Sequence, residues 1–330
     1  MSAELIDNRT ACAALPLFLA DEEGRPLVAL VAAAAWSIAA DGRLTLLPNP
    51  PLISLADIWW GEPGTSSPRI ASEAVFIKPA TDIVVQGHAH AAKRDTTVSE
   101  VALSVGPVAT TFRISGERLW QKRLFGQRIS DPAAFERIPL RYEHAFGGPA
   151  DVRNPVGRGW AAAKAPFVDG TPLPNLEVPT DPVTTWGRAV AVAGCGALAS
   201  HWEPRRRLAG TYDAAWQRDR CGLLPRDFDR RFFNAAALIA PNHLRGDERF
   251  RITGCRPGGA ALAGTLPGQL PPVARISRRN QADLVLPMVL DGLQFDLDAM
   301  QVRCTWRCHA LLRDGHGEVT AMALTPGDSS

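Results

Sequence analysis

His88-Ala89-His90 sets two imidazoles one residue apart. On a strand that spacing puts both rings on one face, a geometry some zinc sites use. Zinc needs a third ligand, and no other spaced ligand set stands in the sequence. His144 or Glu143 could approach only in three dimensions. The expectation is that His88 and His90 end a strand and hydrogen-bond neighbouring loops, with no metal and no cofactor. Asp227-Phe-Asp229 and Gly246-Asp247-Glu248 supply clustered carboxylates, the residue type that glycosidases pair across a scissile bond. Spacing alone does not place them around a bond, and N-capping or pairing with Arg is the commoner use. Cys304-Thr-Trp-Arg-Cys308-His309 has three residues between its cysteines where haem attachment uses two. No nucleophile elbow, phosphate-binding Gly loop or His-Glu-x-x-His motif is present. No catalytic residue is therefore assigned.

The tryptophans offer a different chemistry. Trp160, Trp186, Trp202 and Trp216 lie in loop-like sequence beside Arg158, Arg188 and Arg205. Trp and Arg dominate the energetics of protein–protein contacts. The same rings serve equally to anchor long loops onto sheets. Asn154-Pro-Val-Gly-Arg-Gly159 carries two glycines that permit positive φ, so it reads as a rigid loop with Arg158 pinned inside.

The elements that must position these residues read as β. Leu15–Ala20 and Leu27–Ile38 are apolar runs separated by turn residues. Asp41-Gly42 is a type I′ hairpin signal before Leu44–Leu47. Ile83–Val85, Val101–Val105 and Thr111–Ile114 continue the pattern, and spacing of this kind predicts an antiparallel sandwich or barrel. From Phe146 to about Gln217 strand periodicity fades into Pro, Gly and Trp. Short helices are predicted from Asp213 and Asp227 as N-caps, and from Asp131-Pro132. The end is β again: Arg249–Ile252, a Pro/Gly-rich loop from Pro257 to Pro272, then Val285–Val289, Gly292–Leu297 and Gln301–Leu312. In that last run Val302, Cys304, Trp306 and Cys308 alternate onto one face, with arginines on the other. The predicted fold is mainly β, with two antiparallel sandwich or barrel-like units around a long irregular segment and a few short helices. As domains this gives an N-terminal β unit over 1–148, the irregular Trp/Pro/Gly-rich segment over 149–239 and a C-terminal β unit over 240–330, or one integrated domain.

With 46% hydrophobic and 21% charged residues the chain is of ordinary globular composition. A formal charge of +2 gives no electrostatic case for nucleic acid or membrane. The uncharged run Pro26–Ala40 is too short for a membrane helix, which needs about 20 residues. No charged start and apolar core suggest a signal peptide, so a cytoplasmic location is expected. Six dispersed cysteines read as free thiols.

An ordered set of motifs adds a resemblance. Phe76-Ile-Lys78-Pro79, Thr81-Asp82 and Gly87-His88-Ala89-His90 come first. They are followed by Gly116-Glu-Arg118 with Trp120, Pro139-Leu-Arg-Tyr142-Glu143-His-Ala-Phe-Gly147-Gly148, and Asn154-Pro-Val-Gly-Arg158-Gly-Trp160. Then come Trp202-Glu-Pro-Arg205, Gly210-Thr-Tyr212-Asp213, and Arg231-Phe-Phe-Asn234. The chain resembles a bacterial domain-of-unknown-function family whose members serve as effector adaptors of the type VI secretion system. The resemblance implies a non-enzymatic adaptor or chaperone. It would bind an effector toxin, or its PAAR-repeat carrier, and promote loading onto the spike. Lys78, Asp82, His88, His90, Asn154, Arg158, Trp202, Arg205, Tyr212 and Asp213 match the family as signature positions, with no catalytic role implied. Trp186 and Arg188 lie between signature blocks and are the candidate partner-binding residues. Many members carry Pro-Ala-Gly-Phe-Gly-Pro where this chain has Val192-Ala-Gly-Cys195-Gly-Ala197. The alternative reading is an enzyme: a carbohydrate-active hydrolase using Asp227, Asp229, Asp247 or Glu248, or a metal-dependent enzyme around His88 and His90.

Overall fold

Pro26–Ile38, the long uncharged run, forms a 13-residue strand with nearly every side chain buried. Burial on both faces explains why it reads as continuous apolar sequence rather than as an alternation. In the computed structural model, which describes residues 6–327 apart from Leu270, this strand lies in a seven-stranded sheet. Ala13–Ala20 pairs with it on one side and Gln301–Leu311 on the other, both antiparallel. Val289–Asp296 then follows, next Asp82–Gln86 in parallel register, and Leu238–Ile239 at the edge. Leu44–Leu46 also pairs with the long strand.

A five-stranded sheet packs over one face of this one. Its order is Leu176–Glu177, Val108–Ser115, Val98–Val105, Arg249–Thr253 and Leu262–Thr265. Leu30, Ala32, Ala34 and Trp36 from the long strand meet Val101, Leu103, Phe112 and Ile252 in the main core. Trp36 meets Trp306 edge-to-face at 6.2 Å within the seven-stranded sheet, and Phe250 meets Phe295 at 5.3 Å between the sheets. The expected alternation of Val302, Cys304, Trp306 and Cys308 falls on this core face. The architecture is mainly β, without a closed barrel. A third sheet of four strands joins Ile6–Asn8 to Val319–Thr325, Val273–Arg278 and Gln281–Pro287.

The seven-stranded sheet draws strands from between Ala13 and Leu311, and the five-stranded sheet joins Val98–Val105 to Arg249–Thr253. The terminal β parts therefore share their hydrogen-bond ladders rather than standing apart. The outermost residues of those parts, 1–5 and 328–330, lie outside the described residues.

Local expectations need correcting at five places. Asp41-Gly42 is not a type I′ turn, because only Gly42 has positive φ, at 85°. The loop closes instead through bonds from the Ala39 amide to Arg43 and from the Gly42 amide to Ala39. Asp131-Pro132 starts no helix; the Ala133 and Phe135 amides donate to Glu117 and Thr96, which holds the segment extended. The helix after Asp227 begins later, over Arg230–Phe233, with Asp229 as its cap. Val285–Val289 is divided at Met288 between strands of two sheets. The loop Pro257–Pro272 contains the strand Leu262–Thr265. The cap at Asp213 is as expected: its carboxylate accepts from the Trp216 amide and opens the helix Ala214–Asp219. Among the described residues no helix is long and apolar enough to cross a membrane.

Candidate functional site

The second face of the seven-stranded sheet carries charge. Strand alternation puts Arg303, Thr305 and Arg307 there, opposite the core-facing cysteines. The Glu73–Asp82 segment covers them. Arg307 donates through Nε to Asp291 and through Nη2 to Glu73, both at 2.6 Å, and through Nη1 to the carbonyls of Glu73 and Val75. Lys78 Nζ lies 3.4 Å from Glu73 and 3.3 Å from Asp82. Asp82 in turn accepts from the Asn234 side chain and the Ala235 amide, each at 2.9 Å. The signature residues Lys78 and Asp82 thus sit in a buried chain, Asp82–Lys78–Glu73–Arg307–Asp291. Burial pulls the Lys78 ammonium down, but Glu73, Asp82 and Asp291 outweigh it and hold it above its ordinary value. Burial pushes the Asp291 carboxyl up despite Arg307 and Lys78.

Other signature residues pin loops. The Asn154 amide nitrogen donates to Tyr142 and Phe146 carbonyls at 2.8 and 3.0 Å. Gly147 and Gly157 approach Asn154 so closely that a Cβ at either would stand 2.1 and 2.4 Å from its atoms. Arg158 donates to the Glu143 carbonyl and to the Glu117 carboxylate at 3.1 Å. Trp202 packs edge-to-face on Tyr142 at 5.5 Å. Arg205 donates to the Leu198 and Phe232 carbonyls at 2.6 and 3.1 Å. Tyr212 is exposed and packs on Trp216 at 4.8 Å. Cys195, where the family resemblance expects Phe, is buried with its thiol donating to Val85, so this departure faces the core.

The histidines and carboxylates do not converge. His88–His90 is a short strand paired with Arg137–Pro139. His88 Nδ1 bonds Asp298 at 2.8 Å, and the two rings stand 6.4 Å apart. Glu143 accepts from Ser67, and His144 Nδ1 contacts Asn175, so neither serves the pair. Among the described residues no group of three or more His, Cys, Asp or Glu is placed to hold a metal. Asp227 accepts the amide and hydroxyl of Thr211, Asp229 pairs Arg231, Asp247 lies 3.7 Å from Arg245, and Glu248 accepts the Arg245 and Gly246 amides. Asp227 does line a cavity of about 180 Å³ with Asp213, Asp219 and Trp216. Its hydrogen bonds from Thr211 hold it below the usual carboxylate range. A general acid needs the opposite shift.

Trp186 belongs to a second aromatic cluster. It meets Phe167 at 4.9 Å and Trp120 at 5.8 Å, and its Nε1 donates to the Ala165 carbonyl. Arg188 pairs with Asp181 at 2.5 Å. This cluster is the base of a hairpin, Trp120–Lys122 paired with Gln127–Ile129. At its tip Leu124 and Phe125 are 91% and 92% exposed, between Lys122-Arg123 and Arg128. Leu52, at 90%, is comparably bare but has no basic neighbour in sequence. Single exposed apolar residues are ordinary; an adjacent pair held out on a buttressed hairpin is not. The sequence signal was available: two large apolar residues before a turn glycine, framed by cations.

Three partly buried histidines give a pH expectation. Burial holds His90, His144 and His309 below the ordinary imidazole value, with neighbouring cations adding to it at His309. Unfolded, they titrate near 6.5. The folded state then binds fewer protons as pH falls, so this part of the stability is present above about pH 6.5 and is lost towards the lower folded values. Urea midpoints should fall between pH 7.5 and 5.5, and less so in a His144→Asn, His309→Phe variant. Equal slopes in the two proteins would remove these histidines as the cause.

The chain belongs to a bacterial family described as uncharacterized protein conserved in bacteria (DUF2169), whose family model matches residues 23–307. No curated protein and no solved structure matches the chain.

Proposed function

We propose that this family member is a non-enzymatic adaptor that binds a type VI secretion effector, or its PAAR-type carrier, and promotes loading onto the spike. The ordered signature motifs suggest the system. The observation that carries a binding role is the bare Leu124–Phe125 tip on its aromatic base. Apolar anchors that enter a partner's pocket supply most of the energy of protein contacts. Lys122, Arg123 and Arg128 frame the tip, so the matching surface is an apolar socket with an acidic rim, and charge complementarity speeds and orients the encounter. Half of the ten signature residues support this reading indirectly, since Lys78, Asp82, Asn154, Trp202 and Arg205 are buried and hold the scaffold.

The test is co-purification of the tagged chain from its native host, with identification of spike, PAAR-repeat or toxin products of neighbouring genes. Effector secretion should be lost in a strain lacking the chain and restored by re-expression. Normal secretion in that strain overturns the adaptor reading. Turnover of a carbohydrate, abolished by Asp227→Asn, would establish the hydrolase instead.

A further inference from the structure

Leu238–Ile239 is the edge strand of the seven-stranded sheet, with Leu238 opposite Ile83 and Ile239 opposite Asp82. The Ala240 amide donates to the Thr81 carbonyl on that side. Backbone groups alternate in direction along a strand, so the Ile239 N–H and C=O point away from the sheet. Just before it the edge is closed, where the Ala237 amide donates to the Gly196 carbonyl. At Ile239 no segment among the described residues pairs on the outer side, and the side chain is 42% exposed. An open edge offers its backbone to another chain.

Beside this edge lies a groove of about 610 Å³, within the range of ligand sites. Pro79, Leu198 and Ile239 give it apolar walls, and Arg205, Arg207 and Arg231 give it charge. Among the described residues no carboxylate lines it. Arg207 and Arg231 have side chains 67% and 70% exposed, so a solute reaches both. Glu203 holds Arg207 through Nε alone, and Asp229 holds Arg231 through Nε and Nη2. Both Nη of Arg207 and Nη1 of Arg231 stay free for a second anion. Arg205 makes no ion pair among the described residues. Its Nε and Nη1 donate to the Phe232 and Leu198 carbonyls, and Nη2 is left without an acceptor but not sealed from water. Three cations over an apolar floor, next to an unpaired backbone edge, complement an extended chain with an acidic side chain.

We propose that this groove binds an extended segment of a partner polypeptide, one that carries an acidic side chain beside apolar ones and pairs its backbone with Ile239. The inference goes beyond the adaptor reading, whose anchor is the hairpin tip, and applies to any polypeptide partner.

The experiment pans a displayed library of random short peptides on the full chain and measures synthetic copies of the recovered sequences by calorimetry. They are expected to share an acidic residue flanked by apolar ones. Arg207→Gln with Arg231→Gln should weaken them about tenfold, since both arginines sit on the exposed rim. Arg205 is left in place, because it also holds two carbonyls. Ile239→Pro removes only the outward amide, which an edge strand tolerates, and should weaken binding further. Should that variant not fold, N-methylation along the peptide replaces it, and one position is expected to abolish binding. Leu124→Ser with Phe125→Ser separates the two sites and should leave these peptides bound as tightly as before. Peptides lost with the tip variant but kept by the arginine variant belong to the tip and overturn the groove. Recovered peptides without a shared acidic residue, or equal binding to wild type and the arginine variant, also overturn it. Octanoate is the control for a free acid: saturable octanoate binding that the arginine variant loses, with no peptide recovered, would give the groove to a small amphipathic acid and overturn the polypeptide.

Discussion

Arg307→Met should destabilise the chain by about 3–5 kcal/mol, the usual cost of removing one partner from a buried ion pair. Arg307 is 2% exposed, and among the described residues it alone bonds the side chain of the wholly buried Asp291. Methionine keeps much of the volume but leaves Asp291 a buried carboxyl with no donor, and leaves Glu73 with Lys78 alone. With about 2 cal/mol/K of unfolding entropy per residue over 330 residues, that loss lowers the unfolding temperature by roughly 4–7 °C. The double replacement Arg307→Met, Asp291→Leu should recover part of the loss, because an apolar pair carries no desolvation cost. Chemical denaturation of the four proteins of this cycle measures the coupling. A double variant as unstable as the sum of the single ones would mean that the two side chains do not act as a pair.

The burial of Arg307 also marks where sequence reading stops. The alternation over Gln301–Cys308 is local, so the core face of that strand was legible. The fate of the other face was not, because its cover comes from Glu73 and Lys78, more than 220 residues earlier. Lys78 and Asp82 were likewise visible as signature residues but not as parts of one ionic chain, since Asp291 and Arg307 carry no local sign of their partners. Turn chemistry was partly misleading: the Asp41-Gly42 pair signals a two-residue turn, yet backbone bonds from Ala39 and Gly42 select a longer loop. Caps were legible where the next residues continued the helix, as at Asp213. They were not where a carboxylate had a better use elsewhere, as Asp227 has with Thr211. In the middle segment the tryptophans were visible as anchors or contacts, and only packing separates the two uses. Trp186 is held by Trp120 and Phe167, while the apolar pair on the hairpin above them is bare.

That separation sets the largest effect expected on binding. Leu124→Ser with Phe125→Ser should weaken the proposed adaptor complex by about 2 kcal/mol per anchor or more, at least about 30-fold in Kd for either change alone. Stability should stay within about 0.5 kcal/mol, since neither side chain is packed in the free protein. Trp186→Ala should behave differently. It removes the ring that supports Trp120 and Phe167 and the bond to the Ala165 carbonyl, so any loss of binding comes with a loss of stability. Reversing the collar with Lys122→Glu and Arg123→Glu should act chiefly on the association rate and reduce its salt dependence, because exposed charges steer encounters more than they hold complexes. Calorimetry and stopped-flow mixing with the co-purified partner measure both quantities. If the double serine variant binds as tightly as wild type, the hairpin tip is not the anchor, and a partner surface has to be sought away from the Trp120 cluster. If it binds weakly and Trp186→Ala binds normally with a lowered unfolding temperature, contact and support are separated residue by residue.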